Sequence, residues 1–314
     1  MIDSPSYSVV IPCYNSSSSL IELYNRIVRV FERANETFEI IYVDDGSSET
    51  ATWQTLKRLA ASEHVLAVGL SRNFGKPNAV LCGIAEAAGA WIITIDDDLQ
   101  QQPEDIPKLL ALKDHDVVVG QILNKQHGPI VNLGSKIKAQ FDRFILGIEI
   151  PMSPLKLIRA EIARSMLEMH ATRPFIPALL ATVTNDFVSV PIDHQPSQIK
   201  ESRYTLRRRF SQFSNLLIGH STLLLRGLAV TGTLTALTGF AFAIYTLVRR
   251  ILGDVILPGW SSLIVINLVF GGLILLGLGL NGEYLLRISE TASKKPRYIV
   301  RRKIKLEPGE GYKT

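Results

Sequence analysis

The stretch Ile92-Ile93-Thr94-Ile95-Asp96-Asp97-Asp98-Leu99-Gln100 is an apolar run that ends in three consecutive carboxylates. Its first half reads as a buried strand. Its second half needs a positive partner, because three adjacent acids repel one another. Mg²⁺ and Mn²⁺ suit such a place, since they bind hard oxygens through one or two carboxylates plus the oxygens of a phosphate. On an extended chain Asp96 and Asp98 project to one side and Asp97 to the other. That pattern sketches a metal–diphosphate clamp, against the plainer reading of an acidic surface turn.

Working outward, strands and helices alternate on both sides of this run. Tyr7–Pro12, Phe38–Val43, Val65–Leu70, Ala90–Ile95 and Val117–Val119 read as strands. Helical periodicity covers about Ser18–Ala34, Thr50–Ala61 and Asn78–Ala88, the first with Leu20, Leu23, Ile27 and Val30 on one face. Alternation of this kind predicts an α/β domain with a mainly parallel, Rossmann-like sheet covered on both faces. Ligands of such sheets sit beyond the carboxyl ends of the strands. Pro12-Cys13-Tyr14-Asn15, Asp44-Asp45-Gly46 and Asp96-Asp97-Asp98 all fall there, which favours the clamp. No Gly-x-Gly-x-x-Gly follows the first strand and no Walker-type lysine is present, so nicotinamide and P-loop chemistry are disfavoured.

Charge divides the 314 residues unevenly. Residues 201–314 carry 16 Lys/Arg against 6 Asp/Glu, and residues 1–200 carry 18 against 23. An acidic half joined to a basic, apolar half suggests a nucleic acid or an anionic membrane as partner. The uncharged stretches Gly227–Val248 and Val255–Gly282 decide for the membrane and against nucleic acid. Each is long enough to cross a hydrocarbon core as a helix of roughly 20 residues. Basic residues flank both: Arg203, Arg207–Arg209 and Arg226 before, and Arg287 to Lys305 after. The positive-inside rule then puts both termini and the amino-terminal domain in the cytoplasm of a multi-pass inner-membrane protein. Phe210, Phe213, Leu216 and Leu217 beside Arg207–Arg209 predict an interfacial amphipathic helix drawn to anionic lipids. The expected organisation is therefore a catalytic domain (1–200), an interfacial region (201–225), two transmembrane helices (226–287) and a basic cytoplasmic tail (288–314). Gly- and Ala-rich spans suggest a homo-oligomer packed through them. No signal peptide is expected at Met1–Pro5, and Cys13 and Cys82 read as reduced structural thiols.

Val9–Asn15, Val43-Asp44-Asp45-Gly46-Ser47, Ser71-Arg72-Asn73-Phe74-Gly75-Lys76 and Asp96-x-Asp98-Leu99-Gln100 together resemble inverting family 2 glycosyltransferases of GT-A fold. The similarity is to the polyprenyl-phosphate branch, and Phe175-Ile176-Pro177, Glu201–Tyr204 and Lys295–Tyr298 extend it. The resemblance implies transfer of a sugar from a nucleotide sugar, with a lean toward UDP, to a polyprenyl phosphate such as undecaprenyl phosphate. It implies Asp96, Asp98 and Gln100 as ligands of Mg²⁺ or Mn²⁺, with Pro12, Tyr14, Asn15, Asp44 and Asp45 around the nucleotide. Ser135, Lys136 and Arg203 fall at the acceptor phosphate. Arg72 and Lys76 have two readings, holding the diphosphate or pairing with acids of the cleft.

This chain also departs from the family's pattern. Where relatives commonly carry Gly-Asp-Phe-Arg-Leu it has Ser153-Pro154-Leu155-Lys156-Leu157, so the Asp often assigned as base is Pro154 and the Arg is Lys156. Leu123 stands where relatives have an Arg after the fifth strand. Catalysis is expected to rest on Asp98 and Lys156, with Asp97 or Asp142 as the candidate base if one is needed. The alternative is a catalytically weak nucleotide-sugar-binding scaffold in the membrane.

Overall fold

A computed structural model describes residues 5–122, 150, 152–169, 174–192, 260–292 and 296–305, with scattered positions between 230 and 252. It forms two units: Met1–Arg203 with Lys295–Thr314, and Tyr204–Lys294.

The first unit is built on an eight-stranded sheet in the order β7-β5-β6-β4-β1-β2-β3-β8. Its strands are β1 (Tyr7–Cys13), β2 (Phe38–Asp44), β3 (Val65–Leu70), β4 (Trp91–Thr94), β5 (Val117–Ile122), β6 (Lys156–Arg159), β7 (Phe187–Ile192) and β8 (Val300–Lys305). β3, β2, β1 and β4 are parallel neighbours, as are β5 and β7. β6 runs antiparallel between β4 and β5. The mainly parallel α/β sheet expected from the sequence is present. Every residue of β1, β2 and β3 is buried, which is why these strands read as near-continuous apolar runs rather than alternating ones, interrupted within β1 and β2 by Ser8 and Glu39, which hydrogen-bond each other at 2.6 Å.

Helices cover both faces. Val9, Ile11, Ile40 and Tyr42 pack against α1 (Leu20–Ala34), α2 (Thr50–Leu59) and α4 (Ile106–Leu110). Val10, Ile41, Val43 and Ile92 face α3 (Lys76–Glu86), α5 (Ala160–Glu168) and α6 (Ile176–Val183). The amphipathic stripe of α1 buries Leu20, Leu23, Ile27, Val30 and Phe31, and Asn35 ends the helix in a left-handed conformation.

Two expectations are corrected. β4 stops at Thr94, two residues before the acids, and Asp97–Asp98 form a turn. The strand alternation invoked for Asp96 and Asp98 therefore does not apply to them. Segment 288–314, expected as a tail, supplies β8, which closes the sheet antiparallel to β3. The two transmembrane helices are not shown: among the described residues no helix is long and apolar enough to cross a membrane. Most of Gly227–Val248 lies outside the described residues. The second unit contains α7 (Trp260–Ala292), a 33-residue helix that includes the later uncharged stretch from Trp260 onward.

Candidate active site

The carboxyl ends of β1, β2, β3 and β4 carry the polar clusters. Left-handed backbone concentrates there as well. Asn15 after β1, Gly46 after β2, Gly75 before α3 and Leu99 after β4 all have positive φ, and among the described residues Asn35 alone shares this elsewhere. At the non-glycine positions, Asn15 and Leu99, such backbone costs of order 1–3 kcal/mol per residue and collects at functional edges, whereas glycine adopts it freely.

Asp45 is the hinge between two of these loops. Its Oδ1 accepts the Phe74 N–H at 2.7 Å and its Oδ2 the Gly75 N–H at 2.9 Å. Burial still pushes the carboxyl up to about 6, since desolvation outweighs the two donors. Gly46 makes this approach possible, because a Cβ there would lie 2.3 Å from the Arg72 carbonyl carbon and 2.6 Å from the Asn73 nitrogen. Asp44 is also buried, and its Oδ1 accepts the Ser47 N–H at 2.9 Å. Asn15 ties the end of β1 to the same turn: its N–H donates to Ser47 Oγ and its Oδ1 accepts the Glu49 N–H. These three residues, expected around the nucleotide, are engaged in shaping the loops at the strand ends.

The acid triplet separates into three environments. Asp96 Oδ2 lies 2.6 Å from Lys76 Nζ, and its backbone N–H donates to Gln101 Oε1 at 3.2 Å. Asp97 turns toward the β1–α1 junction, where Oδ2 accepts the Tyr14 N–H at 3.3 Å and its carbonyl accepts the Ser19 hydroxyl. Burial, with the Asp96 and Asp98 charges adding, raises Asp97 to about 6. Asp98 Oδ1 accepts the Gln100 N–H at 3.1 Å, and burial and Asp96 raise its pKa. Arg26 of α1 donates to Gln102 and Glu104 and so braces the loop from behind. Among the described residues no three His, Cys, Asp or Glu side chains form a ready cage for a metal. Asp96 lies near enough for its charge to raise Asp98, and two hard carboxylates so placed fit a cation that takes its remaining ligands from a phosphate.

Beside Asp96 and Lys76 opens a pocket of about 220 Å³, bounded by Pro12, Pro154, Lys156 and Phe175–Pro177. Antiparallel pairing of β4 with β6 places Lys156 directly opposite Thr94. Lys156 is only 6% exposed. Burial, with repulsion from Lys76, depresses it to about 8, while Asp96 pulls the other way. The Lys156 ammonium has no hydrogen bond or ion pair among the described residues. Thr94 Oγ1 donates to the Pro154 carbonyl at 2.7 Å, and Ser153 Oγ donates to the Leu155 carbonyl, so both hydroxyls are spent.

The structure thus brings Pro12, Lys76, Asp96 and Lys156 together on one pocket. Of the two readings of Lys76, it displays the pairing with an acid. Tyr14 is 42% exposed, and Arg72 lies 4.7 Å over the Phe74 ring. Ser135, Lys136, Arg203, Leu123 and Asp142 lie outside the described residues. Gln101 escaped the sequence reading: it is 3% exposed and fixes the Asp96 backbone, but a glutamine among acids carries no periodic signal. The arrangement offers two lysines and one carboxylate beside a second carboxylate, which suits chemistry between two phosphorylated molecules.

The family model described as Glycosyl transferase family 2 matches residues 8–152. The chain is 34% identical over 306 residues to the undecaprenyl-phosphate 4-deoxy-4-formamido-L-arabinose transferase of Sodalis glossinidius, covering 93% of this chain and 92% of that protein. It is 33% identical over 308 residues to the protein of the same name from Klebsiella pneumoniae subsp. pneumoniae, covering 95% and 93%. Among solved structures, glucosyl-3-phosphoglycerate synthase from Mycobacterium tuberculosis with Mn²⁺ and UDP-glucose overlaps with a TM-score of 0.49 at 18% identity, over 71% of this chain and 79% of that one.

Proposed function

The chain belongs to glycosyl transferase family 2, and from that premise we propose that it transfers a sugar from a nucleotide sugar, a UDP-sugar in our reading, to undecaprenyl phosphate. The names of relatives that align along nearly the whole chain support the acceptor. The observation that carries the reading is the pocket at the strand ends, where the buried Lys156 shares a cavity with Asp96 and Lys76.

Transfer inverts the anomeric carbon. An oxygen of the acceptor phosphate attacks that carbon as its bond to the donor diphosphate breaks, giving a lipid-linked sugar phosphodiester and the free nucleoside diphosphate. Asp96 and Asp98, with Gln100, would hold a divalent cation, whose charge would offset that of the departing diphosphate. Pro12, Tyr14 and Arg72 border the nucleotide, and the Asp44–Ser47 turn shapes its place. Lys156 supplies the cation that draws in and orients the acceptor phosphate, with Ser135, Lys136 and Arg203 as further contributors. A phosphate monoester has a second pKa near 6 and is largely a dianion at neutral pH. It therefore needs orientation more than deprotonation, which agrees with Pro154 at the family's usual Asp position. Asp97, directed at the Tyr14 N–H, serves better as a support of the β1–α1 turn than as a base.

Membrane attachment is part of the proposal. Two uncharged stretches flanked by basic residues would span the inner membrane, with residues 201–225 at the interface and the catalytic unit in the cytoplasm. Leu263, Ile274, Leu278 and Leu285 of α7, each more than 60% exposed, support a lipid environment for that helix. A homo-oligomer through the spans belongs to the same reading.

The test is turnover by purified protein in lipid with undecaprenyl phosphate, Mg²⁺ or Mn²⁺ and a panel of nucleotide sugars. A lipid-linked product that disappears with chelator and in Asp98→Ala supports the proposal. Metal-dependent nucleotide binding without product from any donor refutes it in favour of the scaffold reading, which Pro154 motivates.

A further inference from the structure

β8 is attached to the sheet by more than its ladder. Its partner row crosses four strands, with Cys13 opposite Asp44, Asp44 opposite Gly69, and Gly69 opposite Arg302. Gly69 leaves room for the arginine, since a Cβ there would lie 2.9 Å from both Arg302 Cγ and Nε and 3.1 Å from the Trp53 ring. The guanidinium lies 3.7 Å over the centre of that ring, and Nη2 is 3.5 Å from Asp44 Oδ2. A small residue, an aromatic face and a buried carboxylate thus converge as a slot for one side chain. On the opposite face Lys303 pairs with Glu86 of α3. The Ile299 carbonyl accepts the N–H of Ser71, the residue before Arg72, at 2.9 Å.

These contacts run on to the site. Asp44 sets the turn through the Ser47 N–H. Asp45 in that turn holds the Phe74 and Gly75 N–H groups, and the next residue, Lys76, reaches Asp96. We propose that Arg302 is a positioning residue for the nucleotide end of the site, so that β8, returning to the first unit after the whole second unit, sets the Asp44–Ser47 turn and the Ser71–Lys76 loop. The inference rests on the nucleotide-site reading given under Proposed function. The Arg302 side chain is 42% exposed but that of Asp44 only 1%, so loss of the guanidinium costs stability as well as loop alignment, and affinity is the readout that separates the two.

The experiment measures nucleoside diphosphate affinity by calorimetry on the full chain in lipid, with Mg²⁺ present, using the tightest binder among UDP, GDP, CDP and ADP. Arg302→Met and Gly69→Ala, which pushes the arginine out without altering it, should each raise Kd roughly fivefold. Arg302→Lys should recover part of the affinity, and Arg301→Met on the neighbouring exposed position should leave it unchanged. Melting temperatures should fall in Arg302→Met and less in Arg302→Lys, with every affinity measured well below the transition. Unchanged Kd in both Arg302→Met and Gly69→Ala overturns the positioning role while leaving the transferase reading intact, as does an equal loss in Arg301→Met. Wild-type protein that binds none of the four nucleotides overturns both readings together.

Discussion

Replacing Gly46 by alanine tests how tightly the Asp44–Ser47 turn and the Ser71–Lys76 loop are locked. Gly46 has φ +66°, and an added methyl would sit 2.3 Å from the Arg72 carbonyl carbon. That atom is backbone, so nothing rotates away. The left-handed conformation itself costs a non-glycine residue roughly 1–2 kcal/mol. Relief of the clash needs a loop movement of about 1 Å, taken against an ordinary carbon contact near 3.5 Å. Such a shift stretches the 2.7 and 2.9 Å bonds from Phe74 and Gly75 to Asp45 beyond useful length. Charge-assisted bonds contribute about 1.5–3 kcal/mol each, and losing one outright brings the expected cost of Gly46→Ala to about 4 kcal/mol. For a unit of this size that is a fall in Tm of roughly 8–16 °C, read by tryptophan fluorescence in detergent, with weakened nucleotide binding alongside. Gly75→Ala is the control. Its φ is +93°, but the nearest atom to the added methyl would be 3.9 Å away, so only the conformational cost applies. Equal Tm shifts for the two variants would refute the clash argument.

Three further outcomes follow from the same geometry. Leu99 is 6% exposed at φ +59°; Leu99→Ala should cost about 2–4 kcal/mol, and Leu99→Gly no more than that in chemical denaturation, reversing the usual order because glycine accepts the conformation freely. Asp97 titrates near 6, so the folded protein binds its proton more tightly than the unfolded chain does. Its contribution is then present below pH about 4 and lost as pH rises to about 6. The stability of Asp97→Asn relative to wild type should therefore climb by up to about 3 kcal/mol between those values, and a flat difference would contradict the assignment. Lys156, buried and held near 8, should give a Lys156→Met variant more stable by about 1–3 kcal/mol at pH 7 yet with a raised KM for the acceptor lipid and an unchanged KM for the donor. A destabilised Lys156→Met, or one affecting the donor alone, would remove lysine from the acceptor role.

The parallel half of the sheet was legible because β1 to β4 are almost wholly buried and each is a mainly apolar run between helical repeats. The acid triplet was legible as chemistry but not as geometry. Alternation predicts facing for Asp96 and Asp98 only while the chain stays extended, and β4 ends at Thr94 with Leu99 left-handed soon after. β6 is four residues with a charge at each end, Lys156 and Arg159, too short to show a period. β8 carries Arg301, Arg302, Lys303 and Lys305 in six positions, which reads as a solvated tail. Charges on an edge strand are what keep it from pairing with other molecules, so the property that protects β8 also conceals it. Its partner β3 lies far away in sequence, where local patterning has no reach.

That separation also bears on how the protein is made. Val300 of β8 follows its partner Leu70 of β3 by 230 residues. At ribosomal rates of about 5–20 residues per second, the outer edge of β3 stays unpaired for roughly 10–50 s after it emerges. During that interval the second unit is synthesised. The nascent chain thus carries an open β-edge, a site for chaperone attention or mispairing, until its closing strand arrives, and the enzyme's first competent moment falls after the intervening apolar segments have left the ribosome.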